Sequence, residues 1–91
     1  MSPLKLPDTL LHDQANTCLA QWMSQLPAEP PAVVVMDASE LSEFDSSALA
    51  VLLGLRRVLA EKGSALTIQG MTPGLAELAS LYGVLDLLAQ V

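Results

Sequence analysis

The chain has 91 residues, 52% of them hydrophobic and only 15% charged, a composition that supplies one compact core, excludes a second domain and disfavours disorder. Four basic against ten acidic residues leave a net charge of −6, and with one Phe, one Trp and one Tyr the chain lacks the positive field and aromatic platforms that nucleic acid or an anionic lipid surface requires. The single cysteine, Cys18, excludes an internal disulfide or thiolate cluster and fits a reducing cytoplasm.

Leu4-Lys-Leu6 and Thr9-Leu-Leu11, separated by the turn-favouring Pro7-Asp8, predict one or two short strands. From Asp13, the expected N-cap, apolar residues recur at Ala15, Cys18, Leu19, Trp22, Met23 and Leu26, the spacing of one helical face. Pro27, Pro30 and Pro31 end that helix, because proline lacks the amide and restrains the residue before it. Val33-Val-Val-Met36, followed by Asp37, is apolar on both faces and predicts a central strand sandwiched inside a parallel or mixed sheet.

Residues 37–44 read as a short polar connector. A helix is expected from Ser46 to about Lys62, capped by Asp45 and stopped by Gly63. Phe44 and Leu49 have the spacing of a hydrophobic staple across its start. Residues 65–69 form a second strand closed by Gly70, and Thr72 with Pro73 opens a shorter helix carrying Leu75, Leu78, Ala79 and Tyr82, with Gly83 at its end. Residues 84–91 are apolar but too short to classify. The succession predicts a single α/β domain over residues 1–91, a small mixed β-sheet with helices packed on it and a right-handed crossover. The longest apolar run, residues 48–55, meets Arg56 and Arg57 after about eight residues, so neither a signal segment nor a membrane span is expected.

The ten carboxylates are scattered without a nucleophilic or basic partner at a telling spacing and read as solvated surface and helix caps. His12, the only histidine, reads as an exposed or capping imidazole with no partner for a triad or a metal. Cys18 reads as a small core hydrophobe. The glycines stand singly at 54, 63, 70, 74 and 83, so no phosphate-cradling loop is present and no ATP site, cofactor or catalytic group is expected. Arg56-Arg57 is a lone basic pair that reads as a solvated helix edge, with an acidic partner as the alternative.

The informative segment is Phe44-Asp-Ser-Ser-Ala-Leu49 and the helix it opens. The first helical turn favours negative charge, which makes Ser46 a candidate phosphoacceptor, although Asp37, Glu43 and Asp45 already crowd it. On a helical wheel Ala48, Val51, Leu52, Leu55, Val58 and Leu59 share an arc of about 120° that suits a core. Leu49 and Leu53 fall outside it, beside the small residues Ser46, Ala50 and Gly54. The resulting smooth face, with Ser47 at its start and Arg57 beyond, is expected to receive another polypeptide.

Val33-Val-Val-Met-Asp37, a short polar link, then Phe44-Asp-Ser-Ser-Ala-Leu-Ala-Val-Leu-Leu53 resembles the signature of STAS domains, over about two thirds of the chain. In that family a strand ends in Asp, and an Asp-Ser or Asp-Thr pair opens the helix that meets the partner. Ser46 matches that place, Asp37 and Asp45 the acidic positions, and Ala48 stands where the family usually has Gly. The short chain, Trp22, Leu66-Thr-Ile-Gln-Gly70 and residues 75–82 are most similar to the STAS subunit of Mla phospholipid-transport ABC complexes, with a shortened N-terminal strand region.

The resemblance implies a cytoplasmic, non-catalytic subunit that binds an MlaF-like ABC transporter ATPase subunit and supports its activity. Its place is in a complex with a permease and a substrate-binding subunit, at the inner membrane only through its partner, without contacting lipid. The competing implication is an anti-sigma factor antagonist ejected from its complex by phosphorylation of Ser46. A small hydrolase built on the acidic residues is the least supported reading, since no nucleophile and base can be paired.

Overall fold

The computed structural model describes residues 3–90. Met1, Ser2 and Val91, the ends of the expected 1–91 domain, lie outside the described residues. Two short strands, β1 (Leu4–Lys5) and β2 (Thr9–Leu10), precede helix α1 (His12–Gln25). Then follow β3 (Val33–Asp37), β4 (Glu43–Phe44), helix α2 (Ser46–Glu61), β5 (Ala65–Gln69), helix α3 (Pro73–Leu81), a 3₁₀ turn (Leu85–Leu87) and β6 (Ala89–Gln90). The main sheet has the order β1-β3-β5-β6, and β2 pairs with β4 in a separate two-stranded ribbon.

Every strand pair is parallel, so the expected α/β architecture stands but its sheet is parallel rather than mixed among the described residues. That geometry follows from the connections: β3 and β5 are neighbours joined through α2, and a parallel pair needs such a crossover. Leu4, Met36 and Ile68 stand in one cross-strand row and are all buried, as are the paired Val34 and Leu66. They form the sheet's core face, and α2 lies against β5.

The other face is less covered than the apolar run predicts: Val35 and Thr67 are half-buried, and Val33 is 54% exposed. The strand is internal in the sheet, but it is not sandwiched along its length. The core is completed by Leu52, Leu55 and Leu59 of α2 with Leu75 of α3, each fully buried. Burial of one such side chain contributes about 2 kcal/mol, so α2 is held mainly by its inner face.

Trp22 is buried and its indole Nε1 donates to the Lys5 carbonyl at 3.2 Å, tying α1 to the first strand. The helix begins two residues earlier than expected. Leu11 holds the cap position with its amide donating to Gln14 Oε1 at 2.9 Å, so Asp13 falls in the first turn instead of capping it. Ala15 and Cys18 are buried as the periodicity predicts, whereas Met23 is 46% exposed. In α3 the Thr72 hydroxyl accepts from the Leu75 amide at 3.3 Å. Leu75 and Ala79 face the core there, while Tyr82, expected on the same face, caps the helix end and is exposed.

Candidate functional site

The site is built around the start of α2, where local sequence and tertiary packing agree. Asp45 is extended and its Oδ1 accepts from the Ser47 amide at 2.8 Å, satisfying one of the amides that a helix start leaves without an internal partner. Its other oxygen, Oδ2, accepts from the His12 amide at 3.2 Å, in the first turn of α1. One carboxylate thus ties the N-termini of both long helices. These donors hold the Asp45 carboxyl below the usual carboxylate range: the Ser47 amide has the largest effect, with the Ser47 hydroxyl, the His12 amide and the His12 charge adding to it.

The tertiary fold also brings Ser47 Oγ to 3.4 Å from His12 Nδ1, a pairing across 35 residues that sequence spacing does not reveal. His12 therefore has partners, contrary to the sequence expectation. The trio does not form a nucleophile relay, because Asp45 spends both oxygens on backbone amides and none on the imidazole that such a relay must orient. Its geometry is that of a double helix cap.

Asp37, the other acidic position singled out, closes β3. Its Oδ1 accepts from the Ser39 amide at 2.9 Å, and Ser39, through side chain and then backbone, holds the Asp37 carboxyl below the usual carboxylate range, with Lys5 adding a smaller attraction. Gly70 is fitted to this turn: its φ is +68°, and a Cβ there would stand 2.9 Å from Ser39 Cβ and 3.4 Å from Asp37 Oδ1. Asp37 and Asp45 share no hydrogen-bond partner, so the two carboxylates shape separate turns.

Along α2, Ser46, Ala50 and Arg57 are exposed and Leu53 is half-buried at the core's edge. At about 100° per residue these four lie within one narrow stripe. Leu49 corrects the wheel reading, being only 3% exposed. The core is wider at this end of the helix than farther along, since Phe44, just before the cap, is itself packed against it. The staple spacing was the better guide to Leu49 than the 120° arc. Val58, placed in the arc, is only half-buried.

Gly54 and Ser47 lie on the flank towards α1. A Cβ at Gly54 would meet Leu19 Cδ2 of α1 at 3.7 Å, so its small size serves the contact between the chain's own helices. Between the helices runs a shallow groove of about 210 Å³ lined by His12, Asn16 and Leu19 on one side and Ser47, Ala50 and Val51 on the other. A larger hollow of about 450 Å³ lies between the first strand and α1, beside Lys5, Trp22 and Glu40. Cys18 reaches it, but burial raises that thiol's pKa above its ordinary value, away from the reactive thiolate. Among the described residues no helix is long and apolar enough to cross a membrane.

A protein-family model described as "Mlab, STAS domain" matches residues 4–89. No curated protein matches the chain.

Proposed function

Because the chain belongs to the STAS-domain family, whose members are generally non-catalytic, we propose that it is a binding subunit that docks through the exposed face of α2 onto the ATPase subunit of an Mla-type phospholipid-transport ABC complex. In this reading it supports assembly and activity of an MlaF-like ATPase beside a permease and a substrate-binding subunit, hydrolyses nothing itself, and reaches the inner membrane only through that partner. The observation that carries it is the stripe of Ser46, Ala50, Leu53 and Arg57, open on a helix whose other side is anchored by six buried residues. Ser47 and Gly54 flank the stripe; Leu49 supports it from within.

Such a surface is pre-organised: the Asp45 cap and the inner leucines fix the helix before any partner arrives, so little ordering cost accompanies docking. Small side chains at Ser46 and Ala50 permit close approach, and Leu53 offers a partly exposed apolar contact. The anti-sigma factor antagonist reading has one specific support, the open Ser46 side chain at the first position of α2, where an added phosphate is electrostatically tolerated. Affinity purification of the full chain from its native host separates the two. Recovery of an ABC ATPase with its permease bears out the transporter reading, and recovery of a serine kinase with a sigma factor replaces it with the other.

A further inference from the structure

The main sheet ends on one side at β1, and an edge strand carries backbone groups with which another chain can pair. The register of β1 on β3 decides which groups those are. Leu4 stands opposite Met36 and Lys5 opposite Asp37, and the Leu6 amide donates to the Asp37 carbonyl at 2.9 Å, so Leu4 and Leu6 turn their backbone groups towards β3. Lys5, between them, turns its amide and carbonyl outward.

The outward side is nearly stripped of pairing groups. The Lys5 carbonyl already accepts from Trp22 Nε1 at 3.2 Å, and that indole, carried by α1, is only 3% exposed and part of the core. Two positions to either side, where strand alternation places the next outward amides, stand Pro3 and Pro7, which have no N–H to donate. The Lys5 side chain is exposed, so two copies meeting here would bring like charges together. Shape alone does not bar an incoming strand, because the hollow of about 450 Å³ beside Lys5 and Trp22 runs along this edge and is lined by Pro3 and Pro7 as well. Backbone chemistry does: with its carbonyl occupied, Lys5 cannot exchange the two N–H···O bonds of an antiparallel hydrogen-bonded pair.

We infer that Trp22, Pro3, Pro7 and Lys5 together seal the β1 edge against strand addition, so that a second copy of this chain cannot extend the sheet there. The bond from Trp22 to Lys5 then serves as an edge cap as well as a tie between α1 and β1. The inference is independent of which partner α2 receives.

The test compares self-association of three full chains by sedimentation equilibrium, each checked for folding by circular dichroism and melting. They are the wild type, the unsealed Pro3→Thr/Lys5→Thr/Pro7→Thr/Trp22→Phe, and a control identical to it except that Lys5→Pro replaces Lys5→Thr. The unsealed chain is expected to self-associate at least about tenfold more tightly than the wild type, the effect of two added backbone hydrogen bonds. The control, which has the same loss of indole packing but no outward amide at position 5, is expected to return to the wild-type value. A folded unsealed chain that associates no better than the wild type would overturn the inference. Equal association by unsealed chain and control would overturn it too, assigning the effect to a loosened core. Should the unsealed chain fail to fold, proton exchange at the indole of Trp22, the single tryptophan, decides in the wild type. Exchange many-fold slower than in the heat-unfolded chain extrapolated to the same temperature supports the cap, and equal rates would refute it, as would a wild-type chain whose Lys5 amide becomes protected on self-association.

Discussion

Gly54→Ala separates two reasons for a small residue in the middle of α2. Glycine in a helix interior costs about 1 kcal/mol relative to alanine, so the substitution starts from that gain. The added methyl would meet Leu19 Cδ2 at 3.7 Å, ordinary van der Waals contact with nothing nearer. At a half-buried position it adds at most about half the 0.8 kcal/mol of a fully buried methylene. The expected result is stabilisation by about 1 to 1.5 kcal/mol, and each kcal/mol raises the melting temperature of a domain this size by roughly 4–8 °C.

Thermal and urea unfolding of the purified chain measure the shift, and the same protein is assayed for ATPase binding. Because the methyl points at α1, binding is expected to match wild type. A fall in melting temperature would refute the packing argument, since it would mean the two helices approach too closely for a Cβ. Raised stability with lost binding would place Gly54 in the partner contact and not between the chain's own helices.

Asp45→Asn is expected to flatten the acid limb of stability. The folded carboxyl is held below its ordinary value of about 3.9, so its contribution is fully present above about pH 4 and is lost as pH falls through the lower folded value. Urea midpoints between neutral pH and about pH 2 check this, and an unchanged slope in the Asn variant would contradict the double cap. Asp37 retains its own dependence of the same sign, so some slope is expected to persist. At the exposed Ser46, Ser46→Thr is expected to preserve ATPase binding and Ser46→Asp to weaken it, read by titration calorimetry. Equal affinities would remove Ser46 from the contact.

The start of α2 was legible because its signals are local. Asp45, Ser46 and Gly63 lie within a turn of the events they control, and the helix runs Ser46–Glu61 with Asp45 as its cap. Thr72 and Pro73 announced α3 for the same reason. The two-residue strands were partly hidden: Glu43–Phe44 becomes a strand only through β2, more than thirty residues away, and β6 only through β5. Distance in sequence also concealed the meeting of His12 with Asp45 and Ser47.

Burial departed from periodicity where neighbouring elements decide it. Leu49 is buried because the core broadens at the helix start, and Val33 is exposed because the sheet's second face is incompletely covered. A wheel shows which residues share a face, but not how far the surrounding core extends around it. The exposed stripe of Ser46, Ala50 and Arg57 was nonetheless readable, since small and polar residues recur along one side of an otherwise aliphatic helix.

Ala50 is exposed in the middle of that stripe and outside the core, and arginine is a good helix former there, so Ala50→Arg disturbs the face and leaves the core intact. The direct measurement is the dissociation constant of wild type and Ala50→Arg for the ATPase subunit, with both melting curves recorded. Loss of measurable binding with an unchanged melting temperature is the predicted result; equal binding by the two folded proteins would contradict docking through α2.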